Sequence, residues 1–248
     1  MFAALGVALL CAAAVVIYIL GLKTPPAHDT VMMKEGETRL VESYLTKKGR
    51  NIEFDRAVSE EPSRVKASRF PSLWWPRPTI VKVTALTQAP EGVDIKLYAG
   101  DGQVQTLTVA VNGQTQLESD IYYGDKTPDE KRRRARSLID QGRAARPTHV
   151  YRAVRLFGRA MAVTGDLPYR PKEWHEAHEL AKEADGELKR QFKRLDFQVN
   201  NRRWMRDYKG MARGLLGVMR LIDDPHDLRH QEARIIFNGL RRRGALRE

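Results

Sequence analysis

Three kinds of hydrophobic spacing follow one another along this chain of 248 residues. Residues 2–22 form a run of 21 positions without a charged side chain. At about 1.5 Å rise per residue such a helix matches a hydrocarbon core about 30 Å thick. The run is too long for the apolar part of a secretory signal and has no cation ahead of it. The nearest candidate cleavage site, Pro25-Pro26-Ala27, offers proline where a small residue is needed. The pattern predicts a retained transmembrane anchor over 1–22. Lys23, Lys34 and Arg39 follow the run and no Lys or Arg precedes it, which predicts a single-pass membrane protein with its N-terminus outside and its C-terminal domain cytoplasmic.

Residues 23–78 read as a connector. Leu40, Val41, Tyr44 and Leu45 fall at helical spacing and predict a short amphipathic helix. The stretch 70–78, FPSLWWPRP, sets Trp74 and Trp75 among three prolines, so both tryptophans are expected on an extended segment docked onto the fold. From 79 to 124 the period becomes two. The runs 79–87, 93–99, 103–111 and 114–123 alternate apolar with polar, and Asn112-Gly113 is a two-residue hairpin signal. They predict a small antiparallel four-stranded β-meander.

From 125 to 248 the period is that of a helix. Thr127-Pro128-Asp129-Glu130 is a capping box, and Pro171 and Asp224-Pro225 mark further helix starts. Three apolar faces follow: Val150, Val154, Phe157 and Met161; Trp174 through Ala177 and Leu188 to Val199; Trp204 through Tyr208, Met211 and Leu215 to Ile222. A last helix from Pro225 would bury Leu228, Ile235, Ile236 and Leu240. One-faced helices need partners, so the expected fold is α+β: an N-terminal anchor, the meander, and a C-terminal antiparallel helical array.

Within the array, Ala153, Phe157 and Ala160, and again Ala177, Ala181 and Ala184, carry the small-and-large spacing of the second helix of a tetratricopeptide hairpin. The stretch 135–142, ARSLIDQG, looks like the end of a first helix. This part resembles tetratricopeptide-type helical hairpins, although no regular period of about 34 residues emerges. The resemblance implies a protein-binding scaffold rather than a catalyst.

Charge adds a location to that reading. The net charge is +12; residues 1–125 hold 13 Lys and Arg against 14 Asp and Glu, and residues 126–248 hold 30 against 17. The whole excess belongs to the helical half. It is concentrated in KRRRAR (Arg132, Arg133, Arg134 and Arg136), RRWMR (Arg202, Arg203 and Arg206) and LRRRG (Arg241, Arg242 and Arg243). These arginines form the candidate binding surface, because a guanidinium presents a planar fork to carboxylate or phosphate. An acidic protein partner or membrane assembly ranks first. Anionic lipid headgroups beside the anchor rank second. Nucleic acid ranks third, since no helix-turn-helix or RNA-binding signature accompanies the charge.

Candidate chemistry is sparse. Cys11 is the only cysteine, so neither an internal disulfide nor a cysteine metal site can form. His175 and His178 with Glu179, and His226 with His230, are spaced so that each pair could present imidazoles on one helical face to a divalent metal. No HExxH order, phosphate-cradling glycine loop or nucleophile elbow is present. The chain reads as a non-enzymatic, membrane-anchored scaffold or accessory subunit without cofactor, catalytic residue or metal. The alternatives are a metal-dependent enzyme built on the two histidine pairs and a membrane-tethered nucleic-acid-binding protein.

Overall fold

The computed structural model describes residues 30–43, 53–74, 79–100, 102–114 and 126–246. The described chain is α+β. Seven strands come first: β1 (Val31–Glu35), β2 (Thr38–Glu42), β3 (Arg56–Ser59), β4 (Val65–Arg69), β5 (Ile80–Ala85), β6 (Ala89–Ala99) and β7 (Gly102–Gln114). Five helices follow: α1 (Pro128–Ala145), α2 (Val150–Thr164), α3 (Lys172–Trp204), α4 (Tyr208–Leu221) and α5 (Leu228–Arg242).

The strands form two sheets, ordered β1-β7-β6-β3 and β2-β5-β4. Alternation sends Val93, Ile95 and Leu97 of β6, Leu107, Val109 and Val111 of β7, and Val81, Val83 and Ala85 of β5 into one shared core with Phe54 and Val65. The chain crosses between sheets at the β1–β2 corner. There Gly36, at φ 79°, donates its N–H to Ala85 O at 2.9 Å, and Ala85 N donates to Glu37 O at 2.9 Å.

This arrangement replaces the expected meander. Only β6 and β7 pair as sequential antiparallel neighbours there; β5 pairs instead with β2 and β4, and β1 runs parallel to β7. Alternation reports that a strand is half-buried and does not report its partner. Asn112-Gly113 lies inside β7 rather than at a hairpin tip, and the expected fourth strand lies beyond residue 114, outside the described residues. The expected amphipathic helix is also corrected. Leu40 and Val41 belong to β2, with Leu40 buried, while Tyr44 and Leu45 lie outside the described residues. The expected transmembrane helix, and the single-pass localisation drawn from it, are corrected too: among the described residues no helix is long and apolar enough to cross a membrane, and residues 1–22 lie outside them.

The helices pack in sequence, each against the next. Helix α1 starts at the capping box: Thr127 Oγ1 accepts from Glu130 N at 3.3 Å, and Glu130 Oε2 accepts from Thr127 N at 2.9 Å. Phe157, Leu188, Val199, Met211, Leu215, Ile222 and Ile236 build the main helical core. Leu138, Ile139, Leu156, Val163 and Ala177 fill a second cluster between α1, α2 and α3. Close approach depends on glycine at Gly142, where the Phe157 ring occupies the volume a Cβ would need. Helix α5 begins later than the Asp224-Pro225 signal, because Asp227 Oδ1 takes Arg229 N at 2.9 Å and caps it.

The two halves are joined by polar contacts and one tryptophan. Gln231 Oε1 accepts Leu40 N at 2.7 Å, and Arg242 pairs with Glu42 at 2.6 Å. Trp74 sits fully buried in the helical core, as expected for a docked segment; Trp75 lies outside the described residues. Glu232, completely buried, uses Oε1 to accept from Ser72 Oγ and from Leu73 N, each at 2.6 Å. Its Oε2 has no hydrogen-bond partner among the described residues.

Burial holds the Glu232 carboxyl above the usual carboxylate range. A raised value means that the native protein holds this proton more tightly than the unfolded chain. Its contribution to stability is therefore complete below the ordinary value of 4.5 and is lost as pH rises through the elevated one. Glu187 has the opposite sign. A hydrogen bond from Arg146 holds it low, so its contribution is present above the ordinary value and disappears on acidification. We expect Glu232→Gln to remove the fall in thermal midpoint that accompanies the rise of pH from 4.5 through the elevated Glu232 value, and to leave the fall on acidification tied to Glu187 in place. A curve parallel to wild type throughout would contradict this role.

Candidate docking surface

The three basic runs have different fates. Helix α1 lies against the N-terminal half of α3, where Arg136 of the first run and, further along the helix, Arg143 and Arg146 are paired. Arg136 Nε donates to Glu173 at 2.7 Å, Arg143 pairs with Glu176, and Arg146 spans Glu183 and Glu187 at 2.9 and 2.7 Å. Arg132 donates to the Tyr169 hydroxyl, and Arg134 is also engaged; Arg133 is exposed. The third run ties α5 to β2 through Arg242, Arg243 is engaged, and Arg241 is exposed. Apart from Arg133 and Arg241, these cations serve the fold.

The second run is different. It lies where α3 ends and α4 begins, and it is surrounded by exposed apolar groups. Phe197 is 70 % exposed, Trp204 78 % and Met205 64 %. Trp204 and Tyr208, expected in a continuous core stripe, are not buried, because that stripe spans two helices. Helix α3 closes at Trp204, and its buried face ends with Leu188 and Val199. On the opposite face Arg190, Arg194, Phe197, Asn201 and Trp204 recur at four- and three-residue steps, which sets them in one row. The Arg203 guanidinium lies 5.4 Å from the Trp204 ring centre. Between 189 and 213 the chain carries nine Lys and Arg against Asp196 and Asp207 alone. Asp207 is itself engaged: it accepts Gly210 N at 2.8 Å as the cap of α4 and pairs with Arg202 at 3.0 Å.

The corner between the helices is closed by a Schellman motif. Asp207 N donates to Arg202 O at 2.9 Å and Arg206 N to Arg203 O at 3.0 Å. The motif needs its C′ residue in the left-handed region, where glycine is the usual choice. Here Arg206 occupies it, at φ 57°. Placing a side chain there costs roughly 1–2 kcal/mol. We expect Arg206→Gly to raise the free energy of unfolding by about 1 kcal/mol in denaturant titration. An unchanged or lowered value would show that the arginine side chain repays its strain within the fold.

The histidine pairs do not assemble into a metal site. His178 stacks on Trp174 with ring centres 5.2 Å apart, His175 meets the same ring edge-on, and His178 Nδ1 lies 3.2 Å from Glu179. His230 Nδ1 is 2.6 Å from Ile222 O, a backbone contact at the end of α4, and His226 N donates to Asp224. Among the described residues no group of three His, Cys, Asp or Glu side chains could hold a metal ion. Comparison with protein families, curated proteins and solved structures gives no match. The surface therefore has to be read from its own chemistry. Phe197, Arg190 and Arg194 escape a reading of basic runs alone. The signal that locates them is their spacing from Trp204 on the face opposite Leu195 and Val199.

Proposed function

We propose that this chain is a non-enzymatic docking protein that holds an acidic protein partner on the exposed stripe of α3 and the corner leading into α4. The observation that carries the reading is the cluster of Phe197, Trp204 and Met205, each more than half exposed and set among arginines. Exposed apolar clusters with a polar rim mark interaction sites on soluble folds. Trp and Arg are the residues that most often dominate binding energy. Arginine density favours an acidic partner through steering and specificity. A duplex held through its phosphates would satisfy the arginines and leave Phe197 and Met205 in water, which favours protein over duplex nucleic acid. The tetratricopeptide-like spacing of Ala153, Phe157 and Ala160 fits the same proposal, since stacked helical hairpins serve as rigid supports for such a face.

The test is affinity capture by the tagged chain and by a Phe197→Ala/Trp204→Ala variant, with and without nuclease. A partner recovered by the wild type, lost by the variant and indifferent to nuclease supports the proposal. Equal recovery by both, or recovery abolished by nuclease, overturns it.

A further inference from the structure

The seven-stranded half carries a groove of about 560 Å3 that docking on α3 does not use. Its polar lining is Arg56, Ser59, Lys66, Ser68, Lys82 and Thr84. Register explains how four of these come together. In the β4–β5 pair Lys66 lies opposite Thr84 and Ser68 opposite Lys82, so all four share one face of the three-stranded sheet. The other face sends Val65, Val81 and Val83 into the core. Strand β3 supplies the opposing wall with Arg56, which is steadied over the Tyr98 ring at 4.7 Å, while alternation turns the Ser59 side chain to the face of Ile95.

Two features of this lining point to an anion. No carboxylate lines the groove. Among the described residues Lys66 and Lys82 have no ion-pair partner, unlike Lys96 of β6, which pairs with Glu60 at 2.6 Å. Three cations with no carboxylate to balance them match an anion of two or three charges better than a single carboxylate. The volume lies within the range of about 300–1,000 Å3 usual for small-molecule sites.

We infer that the groove binds a small phosphoryl-bearing polyanion, with Arg56 offering its planar fork and Lys66 and Lys82 acting as point charges. The hydroxyls of Ser68 and Thr84 supply neutral hydrogen bonds around those charges. The site is independent of the docking stripe, so either can fail without the other.

Inorganic pyrophosphate is the probe, titrated calorimetrically into the full-length chain at about 150 mM salt, where diffuse attraction to the basic helices is screened. Three proteins are compared: wild type, Lys66→Ala/Lys82→Ala, and Arg203→Ala/Arg206→Ala at the α3–α4 corner. Saturable one-site binding that weakens at least tenfold in the lysine variant and persists in the arginine variant is expected. Absence of saturable binding, equal binding by wild type and the lysine variant, or a loss confined to the arginine variant would overturn the inference. Lys66 is exposed, so Lys66→Glu alone, which leaves the sheet intact, decides the matter if the double variant unfolds early.

Discussion

Replacing Trp74 by alanine lowers the free energy of unfolding by about 3–5 kcal/mol, the range for deleting a large buried aromatic side chain. Trp74 is fully buried and, among the described residues, it is the only member of the main helical core contributed by the first half of the chain. Its ring lies 6.1 Å from that of Phe192, and its Nε1 donates to Asp196 Oδ1 at 2.7 Å. Alanine would leave a cavity and remove that bond together. Asp196 keeps one side-chain donor, Asn200 Nδ2 at 3.0 Å. The loss also weakens the joint between the halves, because the backbone of 73–74 is presented to Glu232 by the same segment. Two separated transitions in denaturant, one by far-UV circular dichroism of the helices and one by strand-specific hydrogen exchange, are expected where the wild type shows one. A cost below about 1 kcal/mol with a single transition would place the joint elsewhere.

Phe197→Ala and Trp204→Ala have the reverse signature. Both side chains are mostly exposed, so each change alters stability by no more than about 0.5 kcal/mol. In partner binding each is expected to cost about 2 kcal/mol, close to thirtyfold in Kd. The two sit two turns apart on one face and would contact a common partner surface, so their effects need not add. Charge reversal at Arg136 makes the contrast: it breaks the contact with the buried Glu173 and would report on folding of the α1–α3 interface. A Phe197→Ala/Trp204→Ala protein that melts earlier yet binds as before would remove the stripe from the account of function.

Much of the helical half was legible in local chemistry. The capping box at Thr127 starts α1, and Ala153, Phe157 and Ala160 are buried at the spacing that marked them. The strands β5, β6 and β7 follow from alternation. Strands β1 to β4 were harder to see. They are four or five residues long, and β4 reads VKASR, with few β-branched or aromatic side chains. Strand order was not legible because it is set by contacts between segments distant in sequence, such as Leu40 against Lys82. The same limit applies to the arginines. KRRRAR and RRWMR look alike as strings; only packing places Glu173 of α3 beside Arg136 of the first and leaves Phe197, Trp204 and Met205 exposed around the second.

The most direct measurement is photo-crosslinking from position 197 in the full-length protein, with the same label at Val104 of β7 as the control, since both side chains are exposed. Adducts to an acidic protein from position 197, without the same adducts from 104, are expected. Identical adducts from both positions, or adducts from 197 to nucleic acid alone, would contradict docking on the α3 stripe.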